Sequence, residues 1–350
     1  MGYGHPVPSL PAGAKRRWND LRGTLRLSLE IADAAWLRRR PFLLYYKPTA
    51  RCDCRCQICD RWERQNPSHE ELSLAAVEES LGSFRRAGAV VLTLWGGEPL
   101  LRQDLPEILQ AAKRLGYRTS LCTNARRLPE QADRIAPLLD VLLCSLDGYG
   151  EVHDELRGVQ GLFDRVLRGI EAAKRHPSCD VKIWTAVHRK NRAEIARLCA
   201  LAQELAVGIE LFPLAPIGGH NDDLSLGAAE RSETFGLVQR LKQQGYPIRN
   251  PDRALDIMRH GRPFRCNFPT IAVSFDHRGV VHTCEDPRGM PLRSWGAEWR
   301  TKPEALYRRG DYRAATQQLR TCNCCTLPCI TELSGALPRA LADMLLSRAT

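Results

Sequence analysis

Long apolar runs are missing from this sequence. Nothing in its 350 residues reaches the roughly 18 uninterrupted apolar residues of a membrane span. The first residues, MGYGHPVPSLPAGAKRRW, contain no apolar segment of the kind that drives secretion, so a cytoplasmic chain is expected. Acidic residues are also short, with 40 Asp and Glu against 51 Lys and Arg and a formal net charge of +11. A basic balance favours anionic partners. There is no basic stripe interleaved with aromatics and no RNA-recognition signature, so no nucleic-acid partner is expected. Internal repeats and low-complexity tracts are absent too.

Cysteine, by contrast, is abundant: 14 residues, unevenly placed. In a reducing compartment this many thiols point to metal or redox chemistry rather than disulfides. RCDCRCQIC (51–59) holds four, and Cys322, Cys324, Cys325 and Cys329 crowd near the end, with Cys266 and Cys284 between the two groups. Cys122, Cys144, Cys179 and Cys199 stand in apolar or helical contexts and read as small buried hydrophobes.

The hydropathy pattern divides the chain into an extension at 1–40, an α/β body at 41–245, a smaller module at 246–335 and a tail at 336–350. In the extension, Trp18, Leu21, Leu25, Leu29, Ala32 and Trp36 recur at helical spacing opposite a basic face. Such a helix either packs on the body or lies on an anionic membrane at the inner face of the cell. From residue 41, strand-like segments at 42–47, 89–95, 117–122, 141–146, 181–187 and 208–214 alternate with helical patterns near 72–87, 104–115, 127–138, 161–175, 191–206 and 228–244. Six β–α units predict parallel strands joined by right-handed crossovers, in a doubly wound sheet or an incomplete barrel. IAVSFDHRGVVHTC (271–284) predicts a hairpin, followed by a basic helix-like stretch at 303–319.

The polar motifs fall just after the strands, where parallel β–α folds place their ligand sites. Cys52, Cys56 and Cys59 form C-x3-C-x2-C after the first strand. Three thiolates on one loop suit three corners of an iron–sulfur cubane and leave the fourth iron open. A structural zinc would need a fourth ligand. Cys54 could supply it, but neighbours two apart on an extended loop diverge, so Cys54 reads as pocket wall or packing. LWGGEPLLR follows the second strand: Gly96 and Gly97 permit a close backbone approach, Glu98 can accept from an ammonium group, and Pro99 fixes the loop. Thr123 and Asn124 follow the third strand, and Ser145, Asp147 and Gly148 the fourth, with Arg157 shortly after. Taken singly these are turn and cap residues. Four such loops in succession describe one pocket rim.

PTARCDCRCQIC, LWGGEP, TNARRL and SLDGYGEVHDELRG, in this order and spacing, resemble the radical S-adenosylmethionine (SAM) superfamily over about residues 41–215. The resemblance implies an incomplete (β/α)6 TIM-like barrel. It implies that Cys52, Cys56 and Cys59 bind a 4Fe–4S cluster whose fourth iron is chelated by the amino and carboxylate groups of SAM. Gly96, Gly97 and Glu98, with Pro99 closing the motif, would hold the amino group. Asn124, Ser145 and Arg157 are candidates for the ribose and carboxylate. Ile58 departs from a position that is often aromatic in the family, and an aliphatic side chain can still pack beside adenine. The chemistry implied is reductive cleavage of SAM to a 5′-deoxyadenosyl radical that abstracts hydrogen from an organic substrate. A flavodoxin or ferredoxin would be the electron donor.

The C-terminal module resembles the SPASM or smaller twitch extension of that superfamily. Twelve residues separate Cys266 from Gly279 and four separate Gly279 from Cys284, ahead of TCNCCTLPC. The resemblance implies one auxiliary 4Fe–4S cluster held by four of Cys266, Cys284, Cys322, Cys325 and Cys329. A structural zinc would be satisfied by the same thiolates. Three functional expectations follow: an enzyme acting on a lipid, isoprenoid or other small molecule; a peptide maturase relying on a separate recognition partner; and a non-catalytic iron–sulfur or zinc protein.

Overall fold

The computed structural model describes residues 29–34, 40–63, 65–215, 217, 219–262, 266–284 and 294–321. The described sheet has nine strands in the order β6-β5-β4-β3-β2-β1-β7-β8-β9. Strands β1 (Leu43–Tyr46), β2 (Val91–Leu94), β3 (Arg118–Thr123), β4 (Val141–Ser145), β5 (Asp180–Val187) and β6 (Gly208–Pro213) pair in parallel, each with its neighbour in sequence. The helices that cover them run Leu74–Arg86, Leu105–Arg114, Leu128–Ile135, Leu162–Lys174, Ile195–Glu204 and Ala228–Gln243, close to the predicted spans. This is the partial TIM-like barrel.

Burial along the strands shows where the interior lies. In β2, β3 and β4, fully buried residues alternate with half-buried ones, as a pleated strand requires when its two faces differ. The buried face packs on the helices. The half-buried face, with Thr93, Cys122 and Ser145, lines a cavity, joined by Trp184 of β5 and Phe212 of β6. β1 is buried on both faces and the motif loops open at its C-terminal end.

Several elements were not predicted, two helices among them. A short helix, Glu151–Arg157, precedes Leu162–Lys174, with Gly158 in the left-handed region at φ +65. Another, Asp252–His260, packs on Ala228–Gln243. The sheet does not break near residue 245. Ile248 bridges Ile209 in parallel, and Leu211 N–H donates to Asn250 Oδ1 at 2.8 Å. The predicted hairpin is present as β7 (Ala272–Phe275) and β8 (Val281–His282), with β9 (Ser294–Trp295) beside β8. β7 also pairs in parallel with β1, and Tyr46 stacks on Phe275 at 4.3 Å, so this module extends the barrel sheet directly.

Of the N-terminal helical pattern, only 29–34 and residue 40 are described. There Ile31 and Ala34 are buried against Phe42 and Val90, and Glu30 pairs with Arg85 at 2.9 Å. This turn packs on the body. The remainder of 15–40, Trp18 and Trp36 included, lies outside the described residues. Among the described residues no helix is long and apolar enough to cross a membrane.

Candidate functional site

The cysteine loop is clamped from two sides. Gly97 N–H donates to Thr49 O at 3.1 Å, and Glu98 N–H to Arg51 O at 2.7 Å. The two loops lie so close that a Cβ on Gly97 would sit 2.1 Å from Arg51 O, and one on Gly96, whose φ is +136, 2.9 Å from Thr49 O. The glycines therefore serve loop-to-loop packing as well as any ligand approach. On the other side, Arg55 N–H donates to Arg157 O at 3.1 Å and Gln57 N–H to Leu156 O at 2.9 Å. The helix Glu151–Arg157 thus spends its C-terminal carbonyls on the two residues that flank Cys56. A Cβ on Gly158 would meet Arg55 O at 2.6 Å.

Between these clamps Cys52, Cys56 and Cys59 line one cavity of about 250 Å³, together with Gly96, Gly97 and Asn124. Burial pushes the Cys52 thiol up to about 12 and raises Cys59. Cys56 is pulled down, first by a hydrogen bond from the Cys54 thiol and then, against burial, by Arg157, whose Nη1 lies 3.9 Å from its sulfur. Cys54 is 1% exposed and lines the same cavity, hydrogen-bonded to Cys56, so the expected divergence of neighbours two apart does not occur: on an extended chain such residues share a face. Arg157 is held in turn by Asp147, Nε to Oδ2 at 2.7 Å, and the buried Asp147 also accepts Ala186 N–H at 2.8 Å. A cation is therefore fixed beside the thiols by a carboxylate rooted between β4 and β5.

Glu98 is spent internally. Its carboxylate accepts from Thr123 Oγ1 at 2.6 Å, Asn124 N–H at 2.7 Å and Leu100 N–H at 2.9 Å. Burial still outweighs these bonds and lifts its pKa to about 7. Glu98 fastens the second strand-end loop to the third, and Pro99 opens the one-turn helix Pro99–Leu101 behind it. Asn124 donates to Asp53 Oδ1 at 2.9 Å and accepts Arg126 N–H at 2.9 Å. Ser145 and Ile58 line the cavity wall.

Asp53 was missed by the sequence reading. Besides Asn124 it binds Arg127 Nε at 2.9 Å, so it ties the cysteine loop to the loop after β3. Its signal was an acid inside the cysteine loop facing the basic pair of TNARR. Also missed were the aromatics Trp95, Trp184 and Phe212, which give the cavity its apolar lining. They read as ordinary strand residues until the barrel aims them inward.

The auxiliary thiols are less complete. Cys266 is 6% exposed and packs with Phe42, Phe268 and Ile271, and Cys284 is half-buried beyond β8. Cys322, Cys325 and Cys329 lie outside the described residues. Among the described residues, no three His, Cys, Asp or Glu side chains converge on a single-ion site. Three thiols spread along one cavity wall fit a larger group, and the glycine-lined gap beside them leaves room for a ligand's polar end.

Fold and site together define a partial-barrel protein with a three-thiol pocket at the strand ends. Residues 46–202 match the Radical SAM superfamily. These residues therefore form a Radical SAM domain, and members of that superfamily use a 4Fe–4S cluster and SAM. It is 34% identical over 197 residues to an AdoMet-dependent heme synthase of Methanosarcina barkeri, covering 55% of this chain and 56% of that one. An AdoMet-dependent heme synthase of Oleidesulfovibrio alaskensis is 29% identical over 313 residues, covering 81% and 77%. Against the first of these, the chain spans little more than half the relative's length. Among solved structures, Streptococcus suis SuiB bound to S-adenosylmethionine superposes with a TM-score of 0.67 at 16% identity, covering 81% of this chain and 72% of that one. At that identity the likeness speaks for the fold.

Proposed function

We propose that the chain is a radical SAM enzyme that acts on a tetrapyrrole. The carrying observation is the cavity in which three thiols of one clamped loop face an aromatic barrel interior. Cys52, Cys56 and Cys59 would hold the cluster, whose bound form supplies the single electron that cleaves SAM and so makes hydrogen abstraction from an unactivated carbon accessible. The chain's own part is placement. The backbone of Gly96 and Gly97 is available to the SAM amino group, with Glu98 fixing that backbone. Arg157 offers a cation for the SAM carboxylate next to the thiol of Cys56. Asn124 and Ser145 border the space for the ribose, and Ile58 packs beside the base. Trp95, Trp184 and Phe212 exclude water from the reaction space.

The tetrapyrrole reading is supported by the activity of both relatives, heme synthesis, and by the aromatic side chains Trp95, Trp184 and Phe212 in the lining, which suit a large aromatic macrocycle. Cys266 and Cys284, with two of Cys322, Cys325 and Cys329, would hold one auxiliary cluster, and an external flavodoxin or ferredoxin would deliver electrons.

The test is 5′-deoxyadenosine formation by anaerobically reconstituted protein with SAM and reductant. A carboxylated porphyrin, a peptide fraction and a lipid extract are added separately. Stimulation by porphyrin alone is expected. Stimulation by peptide or lipid alone would overturn the substrate assignment, and no 5′-deoxyadenosine from an iron-loaded protein would overturn the enzyme itself.

A further inference from the structure

A second cavity of about 470 Å³ adjoins the first, sharing Ile58, Arg61, Trp95, Gly97 and Phe212 with it. Its lining is mixed in a particular way. Ile58, Phe212 and Leu214 supply an apolar surface, while Lys47 and Arg61 supply charge. Both cations stand over the indole of Trp95, Lys47 Nζ at 5.1 Å and Arg61 Cζ at 4.9 Å from the ring centroid. The ring holds them in place by cation–π attraction, and stacking on a ring face uses none of the Arg61 guanidinium's hydrogen-bond donors. Arg61 forms no ion pair with any described carboxylate. Two carboxylates share the lining, Asp60 and Asp276. Asp276 is turned into its own hairpin, where its Oδ1 accepts Arg278 N–H at 3.0 Å and Val280 N–H at 2.9 Å and its Oδ2 lies 3.8 Å from His282 Nε2.

Positioned cations at the edge of an apolar enclosure favour an anion that is itself tethered to an apolar body. A guanidinium fork matches a carboxylate in shape, and partial removal from water strengthens the pair. We propose that Lys47 and Arg61, braced on Trp95, form the subsite that takes carboxylate side arms of the substrate. The ring body would lie on Phe212 and Leu214 toward the cluster loop. The proposal rests on the tetrapyrrole reading and adds which groups of that substrate are recognised, and by which residues. The two cations and their ring come from three separate positions in sequence: Lys47 follows β1, Arg61 opens the one-turn helix Arg61–Glu63, and Trp95 follows β2. Their meeting is a property of the fold.

The experiment is equilibrium binding to the reconstituted holoenzyme with SAM, read by porphyrin fluorescence. The probes are metal-free coproporphyrin III, its tetramethyl ester in the same mixed solvent, and GTP as a competitor carrying phosphate instead of carboxylate. The acid should bind at least tenfold more tightly than the ester. Lys47→Gln and Arg61→Gln should each weaken the acid about tenfold, the worth of one charge-assisted hydrogen bond, and leave the ester unchanged. Arg61→Lys should restore part of the loss. Iron and sulfide content checks that each variant keeps its cluster, and the neutral Lys47→Met or Arg61→Met replaces any variant that does not. Equal binding of acid and ester, or unchanged acid binding in variants of a protein that does discriminate, would overturn the subsite and leave the tetrapyrrole reading standing. Failure of the parent protein to bind either porphyrin would overturn the tetrapyrrole reading, and the subsite with it. Displacement of the acid by equimolar GTP, lost in the same variants, would reassign the subsite to phosphate.

Discussion

Cys52, Cys56 and Cys59 stand on one short loop and line one cavity, whereas Cys266 and Cys284 belong to separate segments. Cys266 is packed among Phe42 and Phe268, and Cys284 is half-buried beyond a two-residue strand. The first set is fixed before any cofactor arrives. Backbone bonds from Gly97, Glu98, Leu156 and Arg157 hold the loop at both ends, and Asp53 pins it to the loop after β3. Cys266 and Cys284 stand on either side of β7 and β8 and share no such loop. A site whose ligands share one loop can be preorganised by its neighbours, while a site assembled from distant segments depends on the whole module.

The largest expected effect tests the first set directly. Cys56→Ala should lose the cluster's visible absorbance, its stoichiometric iron and essentially all SAM cleavage. Cys284→Ala should keep a SAM-cleaving cluster while total iron falls. Equal losses in both variants would erase the contrast between the two regions.

Gly97→Ala probes the clamp rather than the ligands. With a Cβ 2.1 Å from Arg51 O, the two loops must separate, at a cost of about 3 kcal/mol or more. The variant should reconstitute poorly and show a lowered urea midpoint. Wild-type reconstitution and stability would mean that the loops are not held as tightly as their hydrogen bonds indicate.

A smaller effect concerns acid stability behind the site. His153 and His188 are buried, and burial lowers each pKa from 6.5 to about 4. The unfolded chain takes up protons near pH 6.5 that the folded chain refuses until about pH 4, so their contribution is present above about pH 6.5 and is lost as pH falls through that window. His188→Leu, which removes one of these groups, should flatten the fall in urea-unfolding free energy between pH 7.5 and pH 5 by about 2 kcal/mol. An unchanged slope would place His188 in contact with water.

The smallest effect is at Cys54. Cys54→Ala should retain the cluster and change SAM cleavage less than about twofold, with a stability loss of about 1 kcal/mol for one buried thiol. Loss of the cluster would move Cys54 into the ligand set and blur the distinction between loop wall and loop ligand.

Most of the barrel could be read from the sequence because it is a local signal. Alternating strand and helix periods placed the six β–α units within a few residues, and turn chemistry placed the motif loops at the strand ends. Gly96, Gly97 and Glu98 stood out in the sequence, but what the structure shows of them is a role between loops. The sequence reading gave them to a ligand, and the structure adds the neighbouring loops, Arg51 and Thr49 on one side and Thr123 and Asn124 on the other. The helix Glu151–Arg157 escaped because seven residues are too few for a clear helical period. The parallel pairing of β7 with β1 escaped because four residues carry no record of their partner strand.

By itself the sequence determined the kind of barrel, the three-cysteine loop and the match to the Radical SAM superfamily, since all three are written in spacings of a few residues. Only the tertiary structure decided that Arg157 stands beside Cys56, that Asp53 and Glu98 lock adjacent loops, and that Lys47 and Arg61 meet over Trp95. Those contacts join residues from different strand ends. Parallel strands place consecutive loops side by side whatever the length of chain between them, so proximity there follows sheet order, which no local pattern encodes.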